Sequence, residues 1–303
     1  MSETSLPLTA PPSSIAERLQ ALLLLALFCF LWSSAFTAAK IGIADCPPLL
    51  LAIRFLLGGA VLSGVVLWRQ GPAAFGHREE WGRLALLGLS NHAFYLCLGY
   101  VAMQTISSGL AAVIISTNPI LTAALAALLL GERFTWRKGL GLLLGLLGVA
   151  VILRSRLSFG ADDHIGMLFS IGAAIGLAGG TILYKKLPTR SDPTAGLSIQ
   201  LLAAGAGLLP VALLLEDAGT IRWGIGLIGA LLYLAIAVSI GAYGLWFMLL
   251  RRGSATKASS LHFLMPPLGL LLGHVVLGEP LIAVDFLGIL PVALGIWLVT
   301  RTR

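Results

Sequence analysis

Residues 111–132 read AAVIISTNPILTAALAALLLGE, and residues 258–279 read ASSLHFLMPPLGLLLGHVVLGE. Laid over one another at a separation of 147 residues, they match Pro119 with Pro266, Gly131 with Gly278 and Glu132 with Glu279. The register continues downstream, where Gly141 matches Gly288 and Gly148 matches Gly295. The chain therefore reads as a duplication. Each copy also holds proline within an apolar run, Asn118-Pro119 in the first and Pro266-Pro267 in the second. Proline removes a backbone donor and clashes with the preceding turn, so it bends or breaks a helix. In hydrocarbon the freed carbonyls need partners, and a broken helix is tolerated only where it packs on protein or lines a cavity. Broken spans at matching places in two halves point to a solute-binding site near the bilayer midplane.

Around these stretches the chain is apolar throughout. Its residues are 58% hydrophobic and 11% charged, with a mean hydropathy of +0.96. Soluble domains run to roughly 45–50% apolar and about 25% charged residues, so the expected class is an all-α integral membrane protein. A span takes about 20 residues. Apolar runs and their charged or turn-rich breaks predict ten spans, at 19–41, 48–68, 84–104, 108–130 and 138–153, then 165–184, 194–215, 224–250, 255–277 and 281–300. That leaves room for a polar tail at 1–17, a first repeat at 18–154, a second at 163–301 and a linker around Asp162-Asp163, with no soluble domain. The tail lacks the basic start and small-residue cleavage site of a secretory signal.

Five spans per repeat is an odd number, so the second half enters the membrane from the opposite side, giving two inverted five-helix repeats. The basic residues test this. With the N-terminus inside, fifteen Lys and Arg fall on the cytoplasmic side and four on the far side, Lys40, Arg154, Arg156 and Arg222. That excess places both termini in the cytoplasm, for a multi-pass protein expected in the bacterial inner membrane. The net charge of +7 is thus an orientation signal and not a nucleic-acid surface, because the basic residues cluster at span ends and form no single patch. Cys29, Cys46 and Cys97 have no metal or redox spacing, so no metal site is expected and Cys29 and Cys97 read as buried thiols. Glycines four apart, as at Gly141/Gly145, Gly172/Gly176 and Gly269/Gly273, let helix backbones approach closely, and packing alone accounts for them.

Two five-span repeats, each with a proline-bearing span, a Gly-Glu turn and a glycine-rich last span, resemble the drug/metabolite transporter superfamily and its ten-helix EamA-type exporters. Trp32 and Phe36 before Lys40, Arg54-Phe55 in the second span, and the Pro119 and Pro266 segments carry the resemblance, which extends from about Leu19 to Thr300. Within that group the chain is most similar to bacterial aromatic amino acid exporters. The resemblance implies efflux of compounds such as phenylalanine, tyrosine and tryptophan, without a cofactor and as a monomer, while threonine, homoserine, nucleosides and other metabolites remain within the superfamily's range. The Arg54 position is occupied by Gln200 in the second half, 146 residues on, so the role of that arginine is not duplicated.

Polar and aromatic residues within spans are the candidate solute contacts. His92, Tyr95 and Gly99 fall on one face of the third span, Ser239, Tyr243 and Trp246 on one face of the eighth, and His92 matches Ser239 at the repeat separation. Trp32 and Phe36, with Ser33 alongside, form a similar stripe on the first span, and Asn118 and His262 lie beside the two proline breaks. Aromatic rings with hydroxyl, amide and imidazole groups suit an aromatic zwitterion. The alternative is that these groups serve interhelical hydrogen bonds or an interfacial belt. Pro119 and Pro266 are the expected hinges. Tyr100, Tyr184, Trp68, Trp81, Trp136 and Trp223 read as membrane-interface residues. Glu132 and Glu279 read as caps for the helix that follows each of them. Arg54 is expected to snorkel outward or meet a helix C-terminus, with a direct carboxylate contact as the sharper idea.

Other classes fit less well. No Asp or Glu lies near the middle of a span, which argues against proton antiport of cationic drugs, and no phosphate-binding Gly-Lys-Ser/Thr loop supports nucleotide-driven pumping. An intramembrane enzyme would use His92 or His262 as a base, yet no Gly-x-Ser-x-Gly turn or two-histidine metal pair accompanies them, and no enzyme activity is expected. A purely structural subunit would explain the glycines but not the paired breaks.

Overall fold

A computed structural model describes residues 15–43, 47–102, 105, 114–154, 164–215, 221, 223–277 and 287–301. The start of the polar tail, Cys46, Asp162-Asp163, Gly278-Glu279-Pro280 and the side chains of Phe36 and Lys40 lie outside the described residues. Regular structure among the described residues is helical. In chain order it comprises α1 (Ile15–Ile43), α2 (Pro47–Gln70), α3 (Arg78–Ala102), α4 (Asn118–Leu130), α5 (Trp136–Leu153), α6 (His164–Lys186), α7 (Pro193–Leu215), α8 (Ile225–Arg252), α9 (Ala255–Leu277) and α10 (Ile289–Arg301). Six stretches are long and apolar enough to cross a membrane by length and composition, namely Leu49–Gln70, Arg78–Ala102, His164–Lys186, Pro193–Leu214, Ile225–Arg251 and Ala255–Val276. Many large apolar side chains face outward along the bundle. Trp68, Trp136 and Trp297 lie near helix ends, each ring under the guanidinium of a neighbouring arginine, as interfacial anchors do.

Two irregularities set the shape of the core. Both α3 and α8 widen into a π-helical stretch, at Leu89–Phe94 and Leu234–Ala242, places that overlap at the repeat separation. The proline breaks also differ from the expected mid-helix kinks. Pro119 stands in the first turn of α4, after a turn in which the Thr117 N–H donates to the Ile114 carbonyl at 3.0 Å. Pro266 follows a 3-10 turn, Leu261–Leu264, inside α9. In each case the break precedes the proline, because the first turn of a helix is where a missing N–H and a fixed φ fit.

Helices from the two halves pack along one another. A Cβ on Gly59 would meet Leu202, and a Cβ on Gly205 would meet Leu56. In the other pair, Gly141 faces the Gly295 carbonyl at 2.7 Å from an added Cβ, and Gly148 faces that of Gly288 at 2.6 Å. In both pairs numbers rise along one helix as they fall along the other, so α2 runs antiparallel to α7 and α5 to α10. The absence of side chains lets the backbones touch.

Two carboxylates of the first half hold backbone of the second. Gly131, in the left-handed region at φ 67°, ends α4 and turns the chain. Glu132 does not cap α5 as expected. Its carboxylate accepts from the Ala255 N–H at 2.6 Å and the Thr256 hydroxyl at 2.7 Å, at the start of α9, while Thr135 caps α5. Glu80 likewise accepts from the N–H groups of Arg190 and Ser191 at 2.9 and 3.0 Å and from the Ser191 hydroxyl at 2.6 Å, just before α7. The Lys185 ammonium, at the end of α6, donates to the Gly253 carbonyl just before α9.

Candidate functional site

The two π-helical stretches bring α3 and α8 to the centre of the bundle with polar groups in unusual positions. A π turn widens the ring of backbone bonds by one residue, which shifts side-chain register and often marks functional sites. In α8 the Ser239 hydroxyl donates to the Leu234 carbonyl five residues earlier, at 2.9 Å, and accepts from Arg54 Nε at 2.8 Å. Arg54 is 4% exposed. It therefore does not snorkel, and its partner is a hydroxyl on the opposite half and not a helix C-terminus. The matching stretch of α3 carries Asn91 and His92, both buried. Asn91 fits because Gly180 on α6 has no side chain: an added Cβ there would lie 2.5 Å from the Asn91 Oδ1.

Rings from six helices meet around these groups. Phe28 and Trp32 of α1 pack with Trp246 of α8, with centroids 5.8 and 5.9 Å from the Trp246 ring. The His262 ring of α9 meets Trp246 edge-on at 4.8 Å and Trp32 at 5.4 Å. Tyr243 links this end to α3, lying 4.9 Å from Trp32 and 4.2 Å from His92. Beyond His92 lie Phe55 of α2 at 5.5 Å and Phe247 at 6.0 Å, and Phe247 stacks on Tyr184 of α6 at 4.3 Å. Tyr184 is thus part of the inner ring system and not a membrane-interface residue, and Tyr100 is partly buried against the same core.

The polar groups in this cluster are poorly satisfied. Neither ring nitrogen of His92 finds a hydrogen-bond partner among the described residues, nor does His262 Nε2, and elsewhere in the interior Ser33 Oγ, both amide atoms of Asn91, Asn118 Nδ2 and Gln200 Oε1 are likewise without one. His262 Nδ1 lies 3.0 Å from the Ser259 carbonyl. Tyr95 and Tyr243 interact hydroxyl to hydroxyl, and Arg54 reaches the cluster through Phe55, whose ring lies 5.1 Å from the guanidinium and 5.5 Å from His92. Buried donors and acceptors without partners are rare in ordinary cores, and three such ring nitrogens, on two histidines that abut Tyr243, Trp32 and Trp246, suit a site that hydrogen-bonds something other than itself.

Of the residues expected from sequence, the structure brings together Trp32, His92, Tyr95, Ser239, Tyr243, Trp246 and His262. Gly99 faces open space, with nothing within 4 Å of an added Cβ, and joins no described contact of the cluster. Asn118 is fully buried in α4, where its Oδ1 accepts from Thr122 at 3.3 Å, and it makes no described ring contact. The Phe36 side chain lies outside the described residues. Phe28, Phe55, Asn91 and Phe247 were not among the expected contacts, and Arg54 was weighed only as the sharper alternative to an outward-facing side chain. Arg54 and Asn91 carried a signal, being charged or amide groups inside apolar runs. The three phenylalanines carried none that separates them from core residues. Past Phe247, a pocket of about 440 Å³ is lined by Leu62, Leu197, Ile240, Gly244, Phe247 and Arg251. No group of three His, Cys, Asp or Glu among the described residues is placed to hold a metal.

Comparison with known proteins gives this site its context. An uncharacterized transporter, YvbV of Bacillus subtilis (strain 168), is 32% identical over 279 residues, covering 91% of this chain and 90% of that protein. A probable amino-acid metabolite efflux pump of Salmonella typhimurium is 30% identical over 88% of this chain and 90% of its own length. That of Escherichia coli (strain K12) is 26% identical, with 88% and 90% covered. One protein of known crystal structure superposes with a TM-score of 0.78 at 22% identity, over 93% of this chain and 97% of the other, and so shares the fold. Residues 19–154 and 164–301 each match the model of the EamA-like transporter family, and the chain belongs to that family, a membrane transporter of the drug/metabolite transporter superfamily.

Proposed function

We propose that the chain is a secondary exporter of small metabolites, aromatic amino acids above all, working by alternating access. The observation that carries this reading is the buried ring cluster: indole, phenol and imidazole groups from α1, α3, α8 and α9 enclose polar atoms that the protein leaves without partners. An aromatic side chain stacks on Trp32 and Trp246, while His92, His262, Ser239 and the Tyr95–Tyr243 pair meet the polar end. The names of two relatives, both probable amino-acid metabolite efflux pumps, support the class of cargo and the direction.

The wider architecture in this proposal is ten membrane helices in two inverted repeats, 18–154 and 163–301, with both termini in the cytoplasm of a bacterial inner membrane. The antiparallel glycine contacts of α2 with α7 and of α5 with α10 support it, since inverted halves related by a two-fold axis meet in this way. Pro119 and Pro266, each just past a break, serve as hinges when the halves rock. The test is flux. Liposomes that contain the purified protein and are loaded with labelled phenylalanine or tryptophan should release them faster than protein-free liposomes loaded alike, and Tyr243→Ala or Trp246→Ala should abolish that release while the protein stays folded. Release of threonine or homoserine but of no aromatic amino acid would move the cargo to another class. Unchanged release by both variants would remove these residues from the site.

A further inference from the structure

Arg54 is a buried cation whose partner set is incomplete. Its side chain sits on α2 inside the bundle, 4% exposed, in a stretch long and apolar enough to cross the membrane. A guanidinium offers five N–H donors in a planar fork. Among the described residues it makes one hydrogen bond, from Nε to the Ser239 hydroxyl at 2.8 Å, and no carboxylate pairs with it. Its charge also lies 5.1 Å from the centroid of the neighbouring Phe55 ring. A hydroxyl and a ring face do not neutralise a positive charge in a low-dielectric interior, and a charge left so is strongly disfavoured.

Next to Arg54 the Phe55 ring leads to the His92 ring at 5.5 Å, and His92 in turn meets Tyr243 at 4.2 Å. Both nitrogens of His92 are without partners among the described residues. No Asp or Glu near the middle of a span is available to move in as counter-ion. The second half does not repeat the device, because α7 carries Gln200 at the related position. One cation set off-centre in an otherwise two-fold arrangement gives the site a polarity.

We infer that Arg54 is the anchor for a carboxylate carried by the transported solute, with Ser239 fixing Nε so that the two terminal nitrogens face the cargo. A carboxylate matches the guanidinium fork in both charge and geometry, and the pair is stronger and more directional than one made by an ammonium. The inference rests on the transport reading above and narrows it: the cargo bears a carboxylate, and solutes that lack one are rejected. Cations are rejected for the further reason that a fixed positive charge faces them.

The experiment uses purified full-length protein and matched probes, with binding read from the shift in thermal unfolding temperature. The aromatic pair is 3-phenylpropionate and 3-phenylpropionamide, the aliphatic pair 4-methylpentanoate and its amide, and phenyl phosphate serves as a different anion. The wild-type chain should bind at least one acid ten-fold or more tightly than its amide. Arg54→Gln should erase that preference, and Arg54→Lys should keep part of it, since charge survives without the fork. If Arg54→Gln does not fold, the wild-type preference and the Arg54→Lys loss still decide the matter. Equal binding of acid and amide, or tighter binding of phenyl phosphate than of either acid, would overturn the assignment even if labelled phenylalanine crosses the liposomes. A preference confined to the aliphatic pair would instead remove the aromatic cargo and leave the arginine's role standing.

Discussion

His92 is fully buried and its two ring nitrogens have no partner among the described residues, although Tyr243 lies 4.2 Å away edge-on. An unsatisfied buried polar group costs about 1–3 kcal/mol. A histidine serving only the fold would be better replaced by a ring of similar shape. His92→Phe is therefore expected to hold or raise thermal stability, by about 1 kcal/mol, while lowering amino acid release at least ten-fold. Thermal unfolding in detergent and liposome flux on the same preparation check both halves of that statement. A large loss of stability with unchanged flux would make His92 a structural residue. The individual side chains of this site were partly legible. Trp32, His92, Tyr243, Trp246 and His262 stood out as polar or aromatic groups at helical spacing inside apolar runs. The partners were not: Arg54 finds Ser239, 185 residues on, and nothing in the local sequence of either announces the other.

Helix by helix, apolar periodicity and breaks located most described elements to within a few residues, because a span is defined by its length and by what interrupts it. The fifth expected element, at 138–153, is found as a helix at Trp136–Leu153, and the seventh, expected at 194–215, as a helix at Pro193–Leu215. The third starts at Arg78, six residues early, where Glu79 and Glu80 fill the first turn. The π-helical stretches were invisible, since an inserted residue leaves composition and hydropathy unchanged. The destination of Glu132 was also hidden: position next to a helix start suggested the neighbouring helix, and the left-handed Gly131 sends the carboxylate to α9 instead. Glu132→Ala should thus loosen the α4–α9 junction, with a loss of about 1–3 kcal/mol in thermal unfolding, since two N–H groups and a hydroxyl lose a charged acceptor. The glycine contacts make a sharper contrast. A Cβ on Gly295 would lie 2.4 Å from the Gly141 carbonyl, whereas one on Gly229 meets nothing within 4 Å. Gly295→Ala is expected to destabilise by about 1–3 kcal/mol, and Gly229→Ala to change little.

At the scale of the whole molecule, the contacts between halves fall into three kinds with different consequences. The α5–α10 and α2–α7 pairs bring backbones close at glycines, against glycine and valine in the first and against leucine in the second, which have one good fit and resist sliding. The ring cluster is held by side chains alone, from six helices, and its polar atoms pair poorly. A structure so arranged opens most readily through its centre. Glu80 and Glu132 bind the second half near the starts of α7 and α9, and both anchor points precede a helix that follows an even number of spans in the proposed topology. They consequently close the same side of the bundle, the cytoplasmic one if the termini are inside. Labelling decides that orientation. In a background without the three native cysteines, Arg154→Cys beside the connection of the two halves should react with a membrane-impermeant maleimide added to intact cells. Arg190→Cys, beside Glu80, should react only after the membrane is opened. The reverse pattern would put the carboxylate-closed side outside and turn the direction of transport around, whereas equal labelling of both from outside would leave the inverted arrangement of the halves without support.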